Sequence, residues 1–319
     1  MIGISDVQAA ARSIAGHVVR TPTVPSPGLS VLLGVPVTAK LELLQRTGSF
    51  KARGATAKLL TLSEAERAAG GVAVSGGNHG VALAVMAGAL DVKATVVMPR
   101  TAPARSIEIA REAGAAVRLT DGMDSAFALV NQLRDEGLTL VHPFDDPVVI
   151  AAQGTVGLEF ADDADELTDV LVSVGGGGLI SGVAAALRAR RPDVRVWGVE
   201  TAGAQAMSEA LAAGGPVPVE LSSVVTTLSA PSVSQLTYDH VSALVEEVLV
   251  VSDREAVEGC LDLAEHAKVW AEPAAGCLLP AARRVLERVG GSARLGLVVC
   301  GGNMTPRDLM GLTERFALR

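Results

Sequence analysis

Five short stretches of this sequence carry residue types able to do chemistry. Four are turns that follow apolar runs: "SGGNHG" (75–80), "HPFDDP" (142–147), "GGGGLISG" (175–182) and "CGGNM" (300–304). The fifth, "QRTGSFKARG" (45–54), sets Lys51 beside Phe50 in a run of small and polar residues. Glycines 175–178 let backbone N–H groups converge, and a helix opening there adds its positive dipole end, which suits a phosphate. A dinucleotide is one possible owner of that phosphate. Glu200 ends the next apolar run 25 residues after Gly175 (200 − 175), near where a ribose-binding acid would fall. The glycine spacing is looser than GxGxxG, however, and three other decorated turns need a role.

The 75–80 turn offers a hydroxyl, glycines and an amide. It can wrap a carboxylate with backbone N–H groups, Asn78 adding donors and an acceptor. Ser75 or Asn78 could equally be a helix N-cap. His79 has no second histidine or carboxylate at ligand spacing, so a zinc site is unsupported. Cys300 alone would be a small buried hydrophobe, and a nucleophilic role would need a basic partner. Lys51 alone would be a solvated surface residue. Lysine is also the side chain that condenses with an aldehyde, provided it is desolvated near the carbonyl. A lysine, a phosphate-binding turn and a carboxylate-binding turn together suggest pyridoxal phosphate and an amino acid substrate.

These turns need a scaffold. Short β-rich runs predict strands at 37–42, 71–75, 94–98, 116–120, 138–142, 169–174, 194–200, 247–252 and 295–300, with alanine-rich helical stretches between them. Apolar strands alternating with helices predict parallel sheets covered on both faces. Nine strands are many for one sheet, so an α/β chain of two domains is expected, each a mostly parallel sheet covered by helices, with the cofactor in the cleft between them. The expected boundaries are 1–44 with 148–319 for the large domain and 45–147 for the small one. Ligands collect beyond the carboxyl ends of such strands, where the decorated turns fall. The Pro/Gly-rich patch 212–225 predicts a surface excursion.

The stretches "RTGSFKARGA", "SGGNHG", "HPFDDP…QGTVGLE", "VGGGGLISG", "WAEPAAG" and "CGGNM" resemble the motif series of the serine/threonine dehydratases. These belong to the tryptophan-synthase-β-like, fold type II pyridoxal phosphate enzymes. The resemblance runs from about residue 15 to 310 with order and spacing intact. It implies that Lys51 carries the cofactor as a Schiff base and exchanges the α-proton, while Phe50 packs on the pyridine ring. It implies that Asn78 bonds the phenolic oxygen and that Gly175, Gly176, Gly177, Gly178 and Leu179 hold the phosphate. Ser75, Gly77 and His79 would shape the substrate carboxylate pocket, and Cys300 would face the pyridine nitrogen. Glu200 with backbone carbonyls, including that of Ala204, would take a monovalent cation such as potassium. The racemases of the group carry a serine where this chain has Gly76, and metal-binding members carry a carboxylate where it has Ala206. The segment "TTLSAPSVSQL" departs from the group's usual glycine-containing stretch.

The expected activity is a dehydratase (deaminase) of L-threonine, L-serine or a related β-hydroxy amino acid, in amino acid degradation. Alternatives are a dehydratase of a hydroxyectoine-derived or 3-hydroxyaspartate-type substrate, a serine racemase, or the nicotinamide-dependent oxidoreductase of the dinucleotide reading. Composition sets further bounds. A net charge of −8 over 319 residues argues against an electrostatic nucleic-acid footprint. Hydrophobic residues make up 49% and mean hydropathy is +0.38, yet no apolar run is long enough for a membrane span. With aromatics at 3%, the core must be packed with Ala, Val and Leu. The start "MIGISDVQAAARSIAGHVV" lacks a basic segment followed by an apolar one, and the three cysteines lack CxxC spacing. A cytoplasmic homodimer is expected.

Overall fold

The computed structural model describes residues 1–318. Among these, ten strands form two sheets. In chain order they are β1 (Thr23–Pro25), β2 (Val37–Leu41), β3 (Gly71–Val74), β4 (Ala94–Pro99), β5 (Ala116–Thr120), β6 (Thr139–Leu140), β7 (Asp169–Ser173), β8 (Arg195–Thr201), β9 (Glu247–Val251) and β10 (Leu295–Val299). The larger sheet runs β1-β2-β10-β7-β8-β9 and the smaller β5-β4-β3-β6. Every pairing is parallel except β1 with β2. β7 and β10 are buried along their whole length. Helices cover both faces, which is why these strands read as unbroken apolar runs rather than alternating ones.

Two elements differ from the sequence expectation. β1 ends in Pro25 and pairs only at the edge; three residues carry no readable period. The run 138–142 pairs with β3 only at Thr139 and Leu140. Beyond Val141 the chain leaves the sheet at Pro143, which has no N–H to pair, and the loop turns toward the other sheet. Of the Pro/Gly patch 212–225, residues 212 and 213 close helix Ala206–Ala213, and the rest carries no regular element.

The helices tie the two sheets together. Helix Pro147–Asp163 starts with Pro147 in its first turn, and the Asp146 carboxylate accepts the Val148 and Val149 N–H groups at 2.8 and 3.2 Å. Its buried face packs on helix Lys51–Leu60, next to the small sheet, and on helix Gly178–Arg190 of the large one. The large core is built of Val, Leu and Ala around Phe160 and Trp197. No helix among the described residues is long and apolar enough to cross a membrane.

Candidate active site

The four decorated turns lie beyond the carboxyl ends of β3, β6, β7 and β10. Lys51 opens helix Lys51–Leu60, and the segment before it is stitched to the end of β10. Ser49 bridges Gly301, and the Phe50 N–H donates to the Cys300 carbonyl at 3.1 Å. The Lys51 ammonium lies 5.1 Å from the Phe50 ring centroid and donates to the Pro143 carbonyl at 2.9 Å. Burial pulls it down to about 8. Near neutral pH a useful fraction of Lys51 is therefore an amine able to accept a proton.

The residue after Pro143 closes the circuit. The Phe144 ring lies so close on Gly176 that any side chain there would collide with it. Gly177 sits at φ +86°, a left-handed conformation that glycine adopts without strain, and a Cβ there would press Met207 and Thr237. Gly177 is the N-cap of helix Gly178–Arg190 and supplies no side-chain cap. The first N–H groups of a 13-residue helix thus face the turn uncapped. Lys51 and the uncapped glycine turn are joined through two consecutive residues, Pro143 and Phe144. Leu179 is buried in the first turn of that helix, where only its backbone can serve an anion.

In the 75–80 turn, Gly77 is the N-cap of helix Asn78–Ala89, so neither Ser75 nor Asn78 caps it. The Ser75 hydroxyl instead accepts the Gly77 N–H at 3.2 Å. Asn78 is buried and donates from Nδ2 to Glu272 Oε1 at 2.7 Å, while its Oδ1 accepts from Asn303 Nδ2 at 2.8 Å. The His79 imidazole bonds the Val141 carbonyl at 2.7 Å, and burial drives it down to about 3. It is a neutral structural ring, and only the His79 backbone N–H is left to meet a carboxylate.

Cys300 is buried at the end of β10, its Sγ 4.0 Å from the Ser173 hydroxyl. Burial pushes its thiol well up, so it stays neutral. Glu200 is buried at the end of β8 and caps helix Ala206–Ala213. It accepts from Met207 N at 2.8 Å, Ser208 N at 2.9 Å and Ser208 Oγ at 2.7 Å. This corrects the reading of Glu200 as a ribose-binding acid, because a carboxylate spent on a helix N-terminus has no such reach. The Ala204 N–H closes a tight turn onto the Thr201 carbonyl at 2.8 Å. Among the described residues no group of three or more His, Cys, Asp or Glu could hold a metal ion.

Four residues at the site lie in stretches already singled out in the sequence but carried no role of their own there: Glu272, Asn303, Phe144 and Thr227, whose methyl lies near where a Gly77 Cβ would be. A further group stands behind Lys51. Arg53 is fully buried and bonds Glu42 through Nε and Nη2 at 2.9 and 2.7 Å. It also bonds Glu159 through Nη1 and Nη2 at 2.6 and 2.9 Å. Lys40 completes the set on Glu159 at 2.7 Å. Burial alone would push the Glu159 carboxyl up, but Arg53 and Lys40 hold it below its ordinary value. Two cations and two carboxylates, neutral as a set, fix the first turn of the lysine helix to the large sheet.

A family model described as pyridoxal-phosphate dependent enzyme matches residues 14–301. The L-threonine ammonia-lyase of Thermotoga maritima is 39% identical over 307 residues, which cover 95% of this chain and 76% of that protein. Among solved structures, a threonine deaminase from T.th. has a TM-score of 0.88 at 36% identity, covering 95% of this chain and 99% of that one. Maize serine racemase has a TM-score of 0.91 at 31% identity, covering 99% and 98%. A lysine, an uncapped glycine turn and an asparagine loop gathered at strand ends thus occur together with a family match along most of the sequence, and the chain belongs to the pyridoxal-phosphate dependent enzymes.

Proposed function

We propose that this chain is an ammonia-lyase that removes water from L-threonine or L-serine and releases a 2-oxo acid and ammonia. The observation that carries this reading is the Lys51 amine bonded to the Pro143 carbonyl, with adjacent Phe144 seated on Gly176. A reactive amine and an uncapped anion turn are thereby held at one fixed spacing. Pyridoxal phosphate fits this site, because the first N–H groups of helix Gly178–Arg190 lack a capping side chain and the four glycines before and at its start put no side chain over them. When bound, it supplies an electron sink that makes the α-hydrogen of the amino acid acidic.

The chain's own residues would do the rest. Backbone N–H groups of 175–179 bind the phosphate, and Phe50 flanks the ring beside Lys51. The Lys51 Nζ takes up the α-proton, which its lowered proton affinity permits near neutral pH. The neutral Cys300 thiol would offer the cofactor ring no negative charge, unlike a carboxylate, and would so favour elimination of the β-hydroxyl. Ser75, Gly77 and the His79 backbone N–H receive the substrate carboxylate at a helix N-terminus. Glu200 has no cationic side-chain partner among the described residues, and burial drives its carboxyl up to about 7. Glu200 already accepts three protein donors at a helix N-terminus, so a monovalent cation such as potassium beside it and the Ala204 carbonyl rests on the family resemblance alone. Free, buried Cys260, Cys277 and Cys300 support a reducing, cytoplasmic setting. A screen of β-hydroxy amino acids for 2-oxo acid release tests the proposal. L-Threonine and L-serine should head the ranking, and turnover of neither would sink it.

A further inference from the structure

The Asn78 amide lies at the centre of a chain of hydrogen bonds whose direction can be read from one end. The Thr47 carbonyl can only accept, so Asn303 must turn Nδ2 toward it, at 2.7 Å. The other proton of that nitrogen then goes to Asn78, at 2.8 Å, so Asn78 must present Oδ1 to Asn303. Asn78 Nδ2 is left facing Glu272 Oε1, at 2.7 Å. Asn78 Nδ2 carries two protons and spends one on Glu272; the second has no partner among the described residues.

These residues come from three places: the segment leading to Lys51, the asparagine turn after β3, and the stretches flanking β10. Gly48 leaves Asn303 little room, because a Cβ there would collide with Asn303 Oδ1. Glu272 is itself fixed by the Gly301 carbonyl, which accepts its N–H at 3.2 Å. Two large-sheet residues thus grip the amide of a small-sheet residue.

We infer that Asn303 and Glu272 are positioning residues that lock the Asn78 amide in one orientation, so that it offers the cofactor an N–H donor and never a carbonyl. The inference rests on the reading of the site as one for pyridoxal phosphate. An acceptor oxygen on the ring, held deprotonated, is the partner such a donor selects. With the amide turned over, the same oxygen would have to keep its proton, and the visible absorbance of the bound cofactor would move.

Asn303→Asp tests this with almost no change of shape. It replaces the donor by an acceptor facing two acceptors, so Asn78 must turn over or let go. The cofactor-loaded variant should bind pyridoxal phosphate about tenfold more weakly, by equilibrium dialysis, with a shifted absorbance maximum. Asn303→Ala, which removes the donor without inverting it, should be affected less. A role in packing alone would give the reverse order, since Ala leaves a cavity and Asp does not. Glu272→Gln keeps an acceptor for Asn78 Nδ2 and should retain the parent spectrum, with affinity within about threefold. If Asn303→Asp does not fold, Asn303→Ala carries the test: a shift in the same direction supports the inference, and parent values overturn it. Parent-like spectrum and affinity in a folded Asn303→Asp overturn it outright. The unmodified protein separates the two claims. Failure to bind the cofactor and release a 2-oxo acid would remove the functional reading, whereas success there with silent variants removes only the inference.

Discussion

Arg53→Met removes the centre of the buried ionic set without creating a large void. Glu42 then keeps only the Thr21 hydroxyl, at 2.5 Å, and Glu159 keeps only Lys40. One ammonium would face two carboxylates in a place where Arg53, Lys40 and Glu42 are all fully buried. Stranding a buried charge in this way costs about 3–5 kcal/mol. One carboxyl can escape by taking up a proton, which makes the cost depend on pH. The folded variant would then bind one proton more than its unfolded chain wherever the pH lies above the ordinary carboxyl range and below the raised value. In that window stability increases as pH falls, by about 1.4 kcal/mol per pH unit. Urea unfolding followed by circular dichroism at pH 8 and pH 5.5, with the parent measured alongside, reads the effect. The deficit should be full at pH 8 and clearly smaller at pH 5.5. Pairing Arg53→Met with Glu42→Leu should recover much of it, because an apolar replacement of the whole pair leaves no stranded charge. A deficit below about 1 kcal/mol, or one equal at both pH values, would refute the assignment of this set as a stabilising, charge-balanced anchor.

Other expectations follow from the site. Association of pyridoxal phosphate with the cofactor-free chain should speed up about fivefold from pH 7 to 8 and level off above, as Lys51 loses its proton near 8; stopped-flow absorbance reads this, and Lys51→Ala should lose both the band and turnover. Cys300→Ser should keep activity within about tenfold, since a hydroxyl makes the same neutral contact, whereas Cys300→Asp should slow elimination; an Asp variant as fast as the parent would contradict the role of the thiol. With L-serine, chiral chromatography should find pyruvate with little D-serine, because Gly76 has no side chain to return a proton on the face opposite Lys51. Restoring that group takes two changes: a Cβ at Gly76 would lie 2.9 Å from the Ala102 Cβ, so Gly76→Ser should raise the D-serine share only when Ala102→Gly makes room.

Much of this site was legible in the sequence because parallel sheets place function at strand ends, and the glycine and asparagine turns follow apolar runs without a gap. Lys51 gained its meaning from that company. What escaped entered the site through tertiary contact. Asn303 and Glu272 lie 225 and 194 positions from Asn78, too far for any local pattern to connect them. Phe144 reads in sequence as part of a polar turn, and only the fold sets it over Gly176. The shortness of β6 follows from Pro143, whose position is plain in the sequence but whose pull toward Lys51 is not. Glu200 invites a ribose-binding reading because a strand-end carboxylate has the same sequence signature whether it meets a ligand or caps the next helix.

The most direct test of the account is product stoichiometry with L-threonine in the cofactor-loaded and cofactor-free protein. The loaded protein should form 2-oxobutanoate and ammonia in equal amounts, and the cofactor-free protein neither. Threonine left untouched by the loaded protein, or consumed without a matching yield of ammonia, would contradict it.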